Sequence, residues 1–418
     1  MSAAPPVTPS PPKPKSNDTL RPQPSGAGGA NGTTADATTA YAESDAHALW
    51  AIVSVMLGLL VAILGFFAVM MWFDAHDAKD AANRAAARAS SASGSMAGMD
   101  MTGAAGAAGA LESYAGAAPA NADALATAHK PFPAELLPAP AGPVADVNLV
   151  LKDVTVEIAP GVKYAAWAWA GGAPGPVIHV RQGQLVKITL TNDGAIPHSV
   201  DFHAARIAPD KAFRDVMPGK SVSYTFRAND AGVFMYHCGT KPVLAHIANG
   251  MYGAIVVEPK PGVLPKADRD YVLVASEWYL NSDGLKKPAQ YNVDKAHART
   301  PDWMTFNGYS GQYVKHPLTA KPGELVRFWV VDAGPSLDTD FHIVGTVFNT
   351  AYPFGDMKPE DALHGVQTVT VPAGGGGVFD VKIDDPGLYP FVSHAFAAVD
   401  QGQVGLLKVG AVQGTMTH

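Results

Sequence analysis

The decisive stretch is Tyr236-His237-Cys238-Gly239, followed by His246 and Met251. Cys238 is the only cysteine in 418 residues. A lone thiol with a histidine eight positions on and a methionine five beyond that, Cys-x7-His-x4-Met, is a copper-ligand pattern. A soft thiolate, two imidazoles and a weak thioether make a trigonal site with a distant axial ligand, suited to one-electron transfer. The missing histidine stands upstream as His198, in Ile196-Pro197-His198-Ser199-Val200-Asp201-Phe202-His203. The predicted blue (type 1) copper set is therefore His198, Cys238, His246 and Met251.

Around these residues the chain reads as short strands. Val177-Ile178-His179-Val180 and Leu185-Val186-Lys187-Ile188-Thr189-Leu190 are closed by the turn residues Asn192-Asp193-Gly194. Repeated short runs with such punctuation predict an all-β sandwich. The pattern then returns: Arg181-Gln182-Gly183-Gln184-Leu185-Val186 is echoed by Lys321-Pro322-Gly323-Glu324-Leu325-Val326. Asp201-Phe202-His203 is echoed by Asp340-Phe341-His342, and Asp230-Ala231-Gly232-Val233-Phe234 by Asp385-Pro386-Gly387-Leu388-Tyr389. Gly250-Met251-Tyr252-Gly253 matches Gly402-Gln403-Val404-Gly405. Two homologous sandwiches are predicted, over 143–262 and 268–410.

The second copy has Ser393 for Cys238, Gln403 for Met251 and Leu337 for His198, so it is not expected to hold a blue copper. It keeps a histidine at 342, either as a buried structural group or as a ligand of a second site. Adjacent residues of a strand point to opposite faces. With Cys238 turned to one metal, His237 is presented to the other side, and His203, His237 and His342 become candidates for a second, type 2 copper with an open position. Asp201 lies between the two histidines of its segment, as an acid or as a turn cap. No His-x-His occurs in the chain, so the histidine pairs of a trinuclear oxygen-reducing cluster are missing.

Composition bounds the rest. Hydrophobic residues are 47% and charged residues 16%, with 42 Gly and 34 Pro, which suits strand-rich domains plus low-complexity segments. A net charge of −7 gives no reason to expect nucleic-acid binding. Residues 1–45, poor in large apolar side chains, are expected to be disordered. Residues 48–73 carry no charge and have Trp50 and Trp72 near their ends, which predicts one transmembrane helix rather than a cleaved signal. Lys13, Lys15 and Arg21 before it are balanced by Lys79, Arg84 and Arg88 after it, so the catalytic bulk is placed outside the cytoplasm on its copper chemistry alone. Residues 75–140 read as an Ala/Gly-rich linker, in which Met96, Met99 and Met101 are either a cuprous-copper cluster or ordinary linker residues.

The Pro197-His198…Asp201-Phe202-His203, Tyr236-His237-Cys238 and Gly250-Met251 stretches resemble the copper-containing nitrite reductases over residues 143–410. That resemblance implies two tandem cupredoxin-like Greek-key β-sandwiches and type 1 copper on His198, Cys238, His246 and Met251. It also implies type 2 copper on His203 and His237, with His342 supplied by a neighbouring subunit of a homotrimer. Asp201 matches the family's catalytic aspartate, which hydrogen-bonds nitrite and delivers a proton. An electron-donor protein, a cytochrome c or a cupredoxin, is the implied partner.

Two departures stand out. The Cys238–His246 interval is one residue shorter than in many members. In Thr300-Pro301-Asp302-Trp303-Met304-Thr305-Phe306-Asn307-Gly308, Trp303 occupies the place of a second proton-relay histidine. An indole does not titrate usefully. Asp302, His316, Asp338 and His394 are candidates for the second proton. Other copper oxidoreductase chemistry, on oxygen or a small donor, and pure electron transfer remain as alternatives.

Overall fold

The computed structural model describes residues 119–412 together with Met56. The expected tail at 1–45, the expected span at 48–73 (Met56 apart) and the Met96/Met99/Met101 cluster lie outside the described residues. Among the described residues, no helix is long and apolar enough to cross a membrane.

The first sandwich is built from β1 (Val144–Ala159), β2 (Val162–Trp169), β3 (Ile178–Arg181), β4 (Leu185–Asn192), β5 (Asp201–Phe202), β6 (Ser221–Arg227), β7 (Gly232–His237) and β8 (Tyr252–Glu258). Its two sheets run β2-β1-β4-β6 and β3-β8-β7-β5. The second is built from β9 (Arg269–Trp278), β10 (Trp303–Phe306), β11 (Leu318–Ala320), β12 (Leu325–Asp332), β13 (Thr339–Ile343), β14 (Thr350–Tyr352), β15 (Thr368–Val371), β16 (Gly376–Lys382), β17 (Gly387–Ser393) and β18 (Val404–Val409). Its sheets run β10-β9-β12-β16-β14 and β11-β18-β17-β13-β15. Strand by strand, each sheet repeats its counterpart and adds one edge strand. The parallel pairs recur too, β1 with β4 and β9 with β12, β3 with β8 and β11 with β18.

Period-2 alternation positions the cores. Ile255 and Val257 of β8 enter the first core, with Val186, Ile188, Phe202, Cys238 and Met251. Their neighbours Ala254 and Val256 face the other way, against Val272 and Val274 of β9 and Trp329 and Val331 of β12. Strands at this junction are apolar on both faces because both faces are covered. The two sandwiches therefore share a hydrophobic seam, which fixes the second domain against the sheet that carries the metal-ligand residues.

The sheet register corrects one sequence echo. In the first sandwich Asp201 lies opposite His237, and the His203 amide donates to the Met235 carbonyl. In the second, His342 lies opposite Val392, and the Val344 amide donates to the Pro390 carbonyl. The matching pairs β7–β8 and β17–β18 equate His237 with Val392. His342 thus occupies the place of Asp201, two residues from the position implied by the Asp-Phe-His echo. A two-residue offset keeps the side chain on the same face, so the face assignment survives.

Residues 119–140, placed in the linker on composition, are instead packed on the domains. Ala122–Ala128 is helical, Glu135 forms a bridge with Tyr271, and the Leu136 amide donates to the Asp270 carbonyl. Arg181 donates to the Ala139 and Pro140 carbonyls. The backbone of this arm is satisfied by partners distant in sequence, which composition does not register.

Candidate metal centre

Three segments converge on the thiol. Cys238 follows β7, and its amide donates to the Met251 carbonyl at 3.1 Å. His246 lies on the short helix Val243–Ala248. His198 is pinned by a pair of backbone hydrogen bonds with Val216, whose carbonyl also accepts from Asn192 Nδ2 at 2.7 Å. His198, Cys238 and Met251 are fully buried and His246 is nearly so.

The His246 Nδ1 lies 3.2 Å from the sulfur and that of His198 3.9 Å, while the two Nδ1 atoms are 3.1 Å apart. Among the described residues this trio is the one group of three His, Cys, Asp or Glu side chains with converging ligand atoms. The Ser199 amide donates to the sulfur at 3.4 Å, and Thr240 Oγ1 donates to Asp215 at 2.7 Å and lies 3.1 Å from Ser199 Oγ. Trp167 packs against both imidazoles, its ring centre 5.5 Å from that of His198 and 4.9 Å from that of His246.

Burial dominates the proton chemistry. It lowers the pKa of His198 to about 4, with a further contribution from His246, and lowers that of His246. Burial raises the Cys238 thiol, partly offset by hydrogen bonds from Ser199 and Thr240. Two neutral imidazoles with their Nδ1 atoms turned toward a protonated thiol form a set that a soft cation completes by displacing one proton. The buried donors fit copper, with Met251 at hand as the weak thioether.

On the other face of β7 the second histidine group is equally specific. His203 Nε2 and His237 Nε2 face each other at 3.0 Å. His203 Nδ1 is bonded to the Gly374 carbonyl at 3.0 Å and His237 Nδ1 to the Cys238 carbonyl at 2.9 Å. Only an N–H can bond a carbonyl, so in the neutral rings both Nε2 atoms carry lone pairs. Two facing lone pairs at that distance repel unless a proton or a cation lies between them. Partial desolvation and the facing His237 lower the His203 pKa, which disfavours the proton. The arrangement fits a metal ion, with each ring oriented by a carbonyl behind it.

His342 follows the same rule, its Nδ1 bonded to the Gln367 carbonyl at 2.6 Å. Within one chain it does not join His203 and His237; its ring neighbour is His394, 5.5 Å between ring centres. Asp201 lies directly across the sheet from His237 and two residues from His203, so all three side chains share one face.

Trp303 is buried in a cluster with Tyr164, Trp278 and Leu280, its indole N–H without a partner. Asp302 is occupied by Lys295 Nζ at 2.6 Å and the Leu280 amide at 2.6 Å. His316 Nε2 meets the Ala126 carbonyl, and Asp338 accepts from the Ala373 amide. His394 is exposed. Sequence reasoning missed Gly374, Trp167, Ser199 and Thr240; for the last two the available signal was a hydroxyl residue beside His198 and two residues after Cys238.

Comparison with known proteins adds independent findings. The multicopper oxidase family matches residues 151–262. The copper-containing nitrite reductase of Neisseria gonorrhoeae is 39% identical over 272 residues, covering 63% of this chain and 68% of that protein. The solved copper nitrite reductase from Nitrosomonas europaea aligns with a TM-score of 0.60 at 34% identity, over 64% of this chain and 94% of that one. A copper-containing nitrite reductase from Thermus scotoductus aligns with a TM-score of 0.59 at 26% identity, over 65% of this chain and 63% of that one.

Proposed function

The chain belongs to the copper-containing nitrite reductase family, and from that premise we propose that it reduces nitrite to nitric oxide and water, taking one electron and two protons per turnover. The observation that carries this reading is the pairing of two donor sets on opposite faces of one strand end, through the adjacent residues Cys238 and His237. Copper supplies the one-electron redox chemistry in the thiolate set and the Lewis acidity for nitrite in the imidazole set.

The residues divide the work. His198, Cys238, His246 and Met251 would hold the type 1 copper. The Cys238–His237 peptide links that set covalently to the second face. His203 and His237 would hold the type 2 copper, with His342 supplied by a second copy of the chain in a homotrimer. The single-chain separation of His342 from its two companions, together with an Nε2 that has no hydrogen-bond partner among the described residues, supports that assignment. Asp201, on the face shared by His203 and His237, holds the proton delivered to nitrite. Trp303 cannot deliver the other, so proton supply is slower than with a histidine at that place. Four-electron oxygen reduction is the less favoured reading, since no His-x-His pair of a trinuclear cluster is present.

The chain is anchored by residues 48–73 with its sandwiches outside the cytoplasm, and a small cytochrome c or cupredoxin delivers the electron. Anaerobic assay of the copper-loaded protein with nitrite and an artificial reductant, detecting nitric oxide directly, tests the function. Nitric oxide formation at a rate tied to copper content is expected; its absence from fully loaded protein would overturn the proposal.

A further inference from the structure

The carbonyl that orients His203 comes from the second domain of the same chain, on the turn between β15 and β16. That turn is held at three points. The Gly374 amide donates to the Asp332 carbonyl at 2.7 Å, and the Asp332 amide donates to the Gly375 carbonyl at 3.1 Å. The third tie is a side chain: Asp338 Oδ1 accepts from the Ala373 amide at 2.9 Å. Gly374 has φ +79°, a conformation that side chains rarely adopt, and a Cβ there would lie 3.7 Å from His203 Cε1. The turn is thus shaped to bring one backbone carbonyl against one imidazole of the other domain.

We propose that Asp338 is a positioning residue for the type 2 copper. It fixes the turn 372–375, so that the Gly374 carbonyl locks the Nδ1–H tautomer of His203 and leaves Nε2 free for the metal. This inference rests on the type 2 site proposed above. It gives the second domain a role toward the first domain's ligands separate from the one that His342 plays toward another copy. Carbonyl and carboxylate partners behind a ligating imidazole set its orientation and basicity, and their removal weakens metal binding. Asp338 acts one bond further out, through the backbone, so a smaller effect follows. Loss of one ordinary hydrogen bond corresponds to about a fivefold change in an equilibrium constant.

The test uses the full chain with Asp338→Ala and Asp338→Asn, reading type 2 copper affinity by chelator competition and the type 2 signal by electron paramagnetic resonance. Asp338 is exposed, so the alanine variant is expected to fold. Alanine should weaken type 2 copper about fivefold and shift its hyperfine splitting, while blue absorption stays unchanged. Asparagine keeps an acceptor oxygen and should restore both readouts. Wild-type affinity and hyperfine splitting in the alanine variant would overturn the inference, as would an asparagine variant no better than alanine. In the copper-free chain, ring nitrogen chemical shifts should report an Nδ1–H tautomer for His203 whose population falls in the alanine variant. An unchanged tautomer there sinks the positioning role. Failure of the wild-type chain to bind any second copper sinks the site itself, and the two failures are therefore told apart.

Discussion

Copper loading of the thiolate pocket should release one proton per ion near neutral pH. Burial raises the Cys238 thiol above its ordinary value, so between about pH 6 and 8 the thiol is protonated in the copper-free protein. Above about pH 7 both ring ligands are neutral, because burial lowers His198 to about 4 and lowers His246 from its ordinary value as well. Copper takes the thiolate, so one proton leaves and the affinity should rise about tenfold per pH unit, or about 1.4 kcal/mol. The sign is fixed by the competing proton: higher pH removes it and favours the metal. As the pH falls toward 4, the His198 ring begins to bind protons as well and the slope steepens. The assay is competition against a chelator of known protonation, followed by the visible thiolate-to-copper band, which reports only the Cys238 site. A pH-independent affinity would mean a thiolate already formed in the empty pocket. A slope of two or more near neutrality would mean charged imidazoles, and either result refutes the burial reasoning.

Further outcomes are expected. Asp201→Asn should slow nitrite turnover by about 10²–10⁴-fold if it performs general acid chemistry, with the blue band unaltered; nitric oxide electrode rates check this. His342→Ala should remove type 2 copper while leaving the blue colour, as read by copper counting beside absorbance. Asp380→Ala should cost about 3–5 kcal/mol in denaturant unfolding, because it strands the buried Arg327 guanidinium that now makes two bonds to Asp380 at 2.6 and 2.7 Å.

The thiol–imidazole cluster was legible because its chemistry is local in sequence: Cys238, His246 and Met251 fall within one loop and its flanks, and His198 stands three residues before β5. The duplicated sandwich was legible from echoes at turns, where glycine and proline positions are constrained by backbone shape. Its fine register was not, since the Asp340-Phe341-His342 echo is displaced by two residues from the hydrogen-bonded pairing. Side-chain likeness along a strand does not fix which carbonyl each amide meets. The hold of Gly374 on His203 spans 171 positions between domains and has no sequence signal. The arm at 119–140 was hidden for a similar reason, its contacts being made by backbone atoms of an Ala- and Pro-rich segment.

Paramagnetic resonance of purified, copper-replete protein tests the central claim most directly. Two cupric species are expected, one with the narrow hyperfine splitting of a thiolate-bound ion and one with the wide splitting of an imidazole-bound ion. A spectrum containing a single class would contradict a strand that presents Cys238 to one copper and His237 to another.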